Sequence, residues 1–253
     1  MTWAGIVLSV GMAVAAGLVG CFAVMRRMAL ASDAMSHVAL PGIGLALAFH
    51  VHPLLGGVAA LAAGTALVWG LQRGTRISTE TVIGVVFSLA LAMGSMLTTG
   101  EELIDALLGT PGSLGVGELV AGLAGVTAVA GFVLLQRNEL VLAQVSTDMA
   151  RTAGVGVARV ELLYLLAFSL TVALGLRFLG VLLMGSLIII PAATAKLVAR
   201  SLDEMLAVAV VSAVASTVLG EAVAVRIGRP TGPVIIAIAA GLFFLSLPLR
   251  RTR

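Results

Sequence analysis

The chain has 253 residues, of which 60% are hydrophobic and only 11% charged, with a mean hydropathy of +1.16. Soluble domains average about 45–50% apolar and about 25% charged residues, so these figures exclude a soluble bundle and point to an all-α polytopic membrane protein. The formal net charge of +3 does not indicate a nucleic-acid binder, because the basic residues stand singly between apolar runs and read as topology markers.

The first 25 residues carry no charge and lack the basic region of a cleaved signal peptide. Arg26 and Arg27 follow them, so residues 3–25 read as a first span. Further apolar runs predict spans near 30–50, 53–71, 80–99, 117–136, 159–176, 178–199, 204–225 and 231–249, all rich in the Gly and Ala that let membrane helices approach closely. That makes nine. The two that meet at Arg177 can also form one long or re-entrant element with a break, which leaves eight. Uncharged runs of roughly 20 residues recur from end to end, so residues 1–253 form a single transmembrane domain. Cys21 has no partner for an internal disulfide and reads as packing.

With alternating spans, one side receives Arg26, Arg27, Arg73, Arg76, Arg137, Arg151, Arg159, Lys196, Arg200, Arg250, Arg251 and Arg253, and the other only Arg177, Arg226 and Arg229. An excess of twelve over three makes the first side cytoplasmic. The N-terminus is then outside and the C-terminus cytoplasmic. Glu80, in S-T-E-T at 78–81, reads as part of a capped helix start near the inner surface. The acidic stretch 101–113 falls outside. Its Glu101, Glu102 and Asp105 either form an ordinary solvated loop or supply a field that concentrates cations. On the inner side, the polar insertion 137–159 holds a short helix around 146–156. Ser146 or Thr147 is its N-cap, Asp148 sits in its first turn, Arg151 follows, and Gly154 stops it. Such a helix either connects two spans or docks a soluble partner. Near the end of its own span, Glu221 reads as an interfacial ion pair with Arg226.

Nothing in the chain reads as an enzyme. The lone lysine, Lys196, sits in PAATAKLVA, outside any G-x-x-x-x-G-K-[ST] loop, so an ATP-driven step needs another chain. Metalloprotease H-E-x-x-H and hydrolase G-x-S-x-G patterns do not occur. The conspicuous polar groups are Asp33 and His37, because an Asp near the centre of a span costs about 2.5–3.5 kcal/mol on insertion scales. Their i, i+4 spacing puts them on one helix face, one turn apart. The pair either locks helix packing or shares a cation. Three features favour the cation. All three histidines, His37, His50 and His52, fall within or at the outer end of the second span. A carboxylate with an imidazole suits Mn²⁺, Zn²⁺ or Fe²⁺ rather than Cu⁺. A two-fold dimer with the pair at its axis would supply two Asp and two His.

The blocks RRMALASDAMSHVALPGIGLAL, STETVIGVVFS, STDMARTAGV, GVLLMGSLIIIPAATAKLVARS and RPTGPVIIAIAAGLFFLS occur in this order along nearly the whole chain. The chain thereby resembles the permease subunits of bacterial ABC importers for zinc and manganese, and in some members iron. The resemblance implies a multi-pass permease of the bacterial cell membrane, with eight or nine helices in one domain. It also implies a second copy of the chain, cytoplasmic ATPase subunits and an extracellular or periplasmic metal-binding receptor as partners. Zn²⁺ or Mn²⁺ is then the transported ion, with no permanently bound cofactor and no nucleic acid. The family's metal pathway maps onto Asp33 and His37, with His50 and His52 as further candidate ligands. Its ATPase-docking helix maps onto Thr147, Asp148, Arg151 and Gly154, although VSTDMARTAG here lacks the more acidic start of many relatives. Two other readings stay open: an ion-coupled secondary transporter in which Asp33 carries a proton, and an ABC permease for a metal chelate. The latter would want an aromatic-lined cavity, and aromatics make up only 4% of the chain.

Overall fold

The computed structural model describes residues 3–26, 28–51, 53–75, 77–97, 115–178 and 180–249. Among these, eleven α-helices and a closing 3-10 turn (Leu247–Leu249) account for the regular structure. They are α1 (Trp3–Met25), α2 (Ala29–Ala48), α3 (Pro53–Gly74), α4 (Thr79–Leu97), α5 (Val116–Leu135), α6 (Arg137–Val145), α7 (Thr147–Thr152), α8 (Val157–Phe178), α9 (Gly180–Val198), α10 (Leu202–Ile227) and α11 (Thr231–Ser246). Among the described residues, each of the nine apolar segments expected from the sequence contains an α-helix. Six of them are long and apolar enough to cross a membrane, and the stretches Ala34–Ala48, Leu183–Val198 and Thr231–Ser246 are shorter. Around Arg177, α8 ends at Phe178 and α9 starts at Gly180.

At α4, α7 and α10 the helix start follows from a serine side chain that satisfies one of the first orphan N–H groups. Ser78 accepts the Thr81 N–H at 3.3 Å, which is the expected cap at the start of α4. At α10, Ser201 accepts the Glu204 N–H at 3.2 Å while the Glu204 carboxylate accepts the Arg200 N–H at 2.7 Å, a reciprocal cap.

Helix α1 lies at the centre and packs on α5, α8, α9 and α10. Between apolar helices in lipid, association depends on close van der Waals contact, and glycine permits it. A Cβ on Gly20 would collide with the Ile188 carbonyl oxygen of α9, so α1 and α9 touch backbone to backbone. Likewise, a Cβ on Gly42 would strike the Gly56 carbonyl oxygen, and one on Gly56 would strike that of Gly42. This mutual contact seals α2 to α3. Two polar contacts tie the bundle together inside: the fully buried Tyr164 hydroxyl donates to the Val19 carbonyl at 3.1 Å, and the buried Thr65 and Ser169 hydroxyls join α3 to α8.

One end of the bundle gathers basic side chains. Arg26 stacks 4.8 Å over the Tyr164 ring, Lys196 donates to the Val24 carbonyl at 3.5 Å, and Arg137 pairs with Asp203. Arg73 and Arg159 line one crevice at the junction of α3 and α8. Glu221 corrects an expectation. It is buried, at 6% exposure, and lies beside the Ser9 hydroxyl of α1, whereas Arg226 is exposed and does not pair with it. One and a half helical turns along α10 carry residue 226 to the solvent side of the helix, out of reach of a carboxyl that faces α1.

Candidate functional site

The backbone of α2 is helical without interruption through positions 33 and 37, so the two residues stand one turn apart. The side chain of Asp33 lies outside what the structure describes. His37 is half-buried, with its ring edge-on to Phe87 of α4, 5.5 Å between centroids and 62° between planes. Such a contact orients an aromatic ring and contributes roughly 0.5–1.5 kcal/mol beyond area burial. Pro41, four residues on, supplies no N–H to the His37 carbonyl, so α2 lacks one of its ladder bonds at this point. Against its neighbours α3, α4, α8 and α9, α2 is otherwise held by small-residue contacts. Position 37 is therefore a polar side chain one turn before a proline inside the helix, within an apolar bundle.

The other predicted ligands separate from this pair. His50 is exposed, beyond the end of α2, and thirteen residues from His37 along a helix rising about 1.5 Å per residue amounts to roughly 20 Å. His37 and His50 of one chain do not meet. His52, Glu101, Glu102 and Asp105 lie outside the described residues. Among the described residues, no group of three or more His, Cys, Asp or Glu side chains converges on a common point.

The expected inner helix is present and more elaborate than the sequence indicated. Helix α5 passes through the single joint residue Gln136 into α6, which the reading of 137–159 as one polar insertion missed. Its inward signal is weak: Leu140 and Ala143, three residues apart, are its buried positions. Ser146 then caps α7 by accepting the Met149 N–H at 3.3 Å. At the other end Gly154 adopts φ +79°, and the Val155 N–H reaches the Ala150 carbonyl at 2.9 Å while the Gly154 N–H reaches that of Arg151 at 3.0 Å. This pair of bonds is a Schellman stop, and it needs a left-handed residue at position 154. Ala150, fully buried, anchors α7 against Ala143 and Val157. Thr147, Asp148, Met149 and Arg151 all face outward, and the apolar Val145 and Met149 are 71% and 60% exposed. Two exposed apolar side chains, Val145 of α6 and Met149 of the double-capped α7, thus lie close in sequence to the exposed charges Asp148 and Arg151.

A profile described as "ABC 3 transport family" matches residues 1–250 of the chain. The high-affinity zinc uptake system membrane protein ZnuB of Haemophilus influenzae is 31% identical over 235 residues, which are 90% of this chain and 89% of the relative. The chelated iron transport system membrane protein YfeD of Yersinia pestis is 32% identical over 249 residues, with 96% and 83% coverage. The manganese transport system membrane protein MntC of Halalkalibacterium halodurans is 30% identical over 240 residues, with 91% and 80% coverage. Among solved structures, PsaBC from Streptococcus pneumoniae in complex with Fab matches with a TM-score of 0.82 at 24% identity, covering 96% of this chain and 89% of that one. At that identity the likeness speaks for the fold alone.

Proposed function

The chain belongs to the ABC 3 transport family, and from that premise we propose that it is the transmembrane subunit of an ATP-driven importer for a divalent metal ion, Zn²⁺ or Mn²⁺ and, as a further candidate, Fe²⁺. It is a multi-pass membrane protein. The observation that carries the reading is the near full-length match to membrane proteins named for zinc, iron and manganese transport. The whole chain acts as one permease domain of eight or nine spans, with the N-terminus outside and the basic end of the bundle in the cytoplasm.

In this proposal the ion arrives from a metal-binding receptor at an outer mouth that includes Glu101, Glu102 and Asp105. It passes to Asp33 and His37 of two copies of the chain, which together supply two carboxylates and two imidazoles. Each protomer supplies only two of these ligands, and binding at the shared site must be weak enough for release. A cytoplasmic ATPase docks on α7 through Thr147, Asp148, Met149 and Arg151, and its closure is transmitted through the capped turn that ends at Gly154. His50 and His52, which follow α2 in the sequence, are not required as ligands in this proposal.

The test is metal uptake by the assembled complex in proteoliposomes. Asp33→Ala and His37→Ala proteins that assemble normally should each lose transport, because either change removes two of the four ligands. Wild-type uptake by both variants would remove the site assignment and leave the family membership untouched.

A further inference from the structure

At the basic end of the bundle a crevice of about 670 Å³ opens between the last turn of α3, the helix α7 and the first turn of α8. Arg73, Arg151 and Arg159 line it, with Glu161 as the lone carboxylate and Val155 and Val157 as apolar wall. Three guanidinium charges against one carboxylate leave +2. None of the three arginines is in an ion pair among the described residues, where Arg137 and Asp203 form the pair that is seen. Nor is this a mobile fringe: Trp69 donates its indole N–H to the Ala158 carbonyl at 3.4 Å, and Arg73 stacks 4.9 Å over the Trp69 ring. These contacts tie α3 to α8 and hold Arg73 at the rim.

Depth decides what would bind there. Arg73 stands where the apolar segment Leu55–Gly74 ends and Arg159 where Val157–Gly175 begins. Trp69 is a residue type that settles at headgroup level. A net positive, partly apolar crevice at that depth matches a phosphodiester with its glycerol, and anionic phospholipids populate the cytoplasmic leaflet. We infer that this crevice seats the headgroup of an anionic phospholipid, held by Arg73, Arg151 and Arg159 at the joint between the membrane bundle and α7. The inference rests on the cytoplasmic placement of the basic end proposed above. Arg151 shares α7 with the docking surface, so a bound lipid would brace the same turn that receives the ATPase.

The experiment titrates the full-length purified chain in mild detergent with phosphatidylglycerol or phosphatidylcholine and counts bound lipid by native mass spectrometry. The variants are R73Q/R159Q and, at the opposite end, R226Q/R229Q, with melting temperature as a fold control. One tightly held phosphatidylglycerol is expected on the wild type, and phosphatidylcholine should not replace it. At about five-fold for each basic charge, R73Q/R159Q should bind about thirty-fold more weakly, each single variant about five-fold more weakly, and R226Q/R229Q like the wild type. Equal binding by wild type and R73Q/R159Q overturns the inference, and so does equal binding of phosphatidylcholine. Displacement of the lipid by millimolar inorganic phosphate would make the crevice a site for free phosphate and overturn the lipid assignment. A crevice that ignores phosphatidylglycerol, and whose arginines are shielded from phenylglyoxal only in the ATPase complex, is a protein contact and overturns it too. Lipid counting uses no metal, receptor or ATP, so its failure is separable from a failure of the transport reading, which uptake by Asp33→Ala and His37→Ala proteins reports.

Discussion

His50 combines a chemistry that suggests a ligand with a backbone that suggests something else. Its φ is +55°, the left-handed region that a non-glycine residue visits at a cost of roughly 1–2 kcal/mol. The Val51 N–H reaches the Ala46 carbonyl at 2.8 Å and the His50 N–H reaches that of Leu47 at 3.1 Å, so His50 sits where a glycine usually ends a helix. Glycine at this position relieves the backbone but loses more entropy on folding, and the two effects nearly offset. His50→Gly should therefore leave thermal stability unchanged within about 1 kcal/mol, measured by the melting curve of the purified chain. With His50 roughly 20 Å from His37, metal uptake should also persist. A large loss of uptake at unchanged stability would show that the imidazole itself handles the ion at the entry. Gly154 makes the contrasting case: its φ of +79° falls on a residue whose identity already announced a helix stop.

Elements differ in how much of them could be read before the fold was known. The apolar runs were legible as helices because an uncharged run of roughly 20 residues has few other uses, and among the described residues six of the helices they form are long and apolar enough to cross a membrane. Helix α7 was legible through its ends, since Ser146 and Gly154 are the residue types that local bonding at a cap and a stop requires. Helix α6 was not, because RNELVLAQV has mixed polarity, and of its two buried residues Leu140 joins the main core while Ala143 finds Ala150 and Val157 only after α7 and α8 fold back. The environment of Glu221 was also hidden, because Ser9 lies at the other end of the chain. As for the candidate site, sequence spacing located Asp33 and His37 on one helix, but the neighbour that orients His37, Phe87, is a matter of tertiary packing. The cap on α7 offers a test at this scale. Ser146→Ala removes one acceptor at a cost of about 1 kcal/mol, so ATPase binding to the reconstituted permease should weaken about five-fold, and Ser146→Asp should restore it. No change in ATPase affinity, measured by titration, would mean that α7 does not need to be pre-formed for docking.

At the scale of the whole molecule, contacts between helix ends gather Arg26, Arg73, Arg137, Arg151, Arg159 and Lys196 at one end, while Arg226 and Arg229 stand near the other, where α10 ends. Sidedness can be tested cleanly, because Cys21 is fully buried and contributes little background labelling. In spheroplasts, a membrane-impermeant maleimide should label Arg229→Cys at once and Met149→Cys only after permeabilisation; labelling of Met149→Cys in intact spheroplasts would reverse the orientation. The central position of α1 carries a further implication. The helices that mainly enclose it, α5, α8, α9 and α10, all come after α2, α3 and α4 in the chain. It is also the most apolar of the six long spans and carries no charge. During synthesis it therefore waits in lipid, with α2 as its first-made contact, until those helices follow. Its greasiness then serves insertion, and its glycines, idle in that waiting state, serve the assembly that follows.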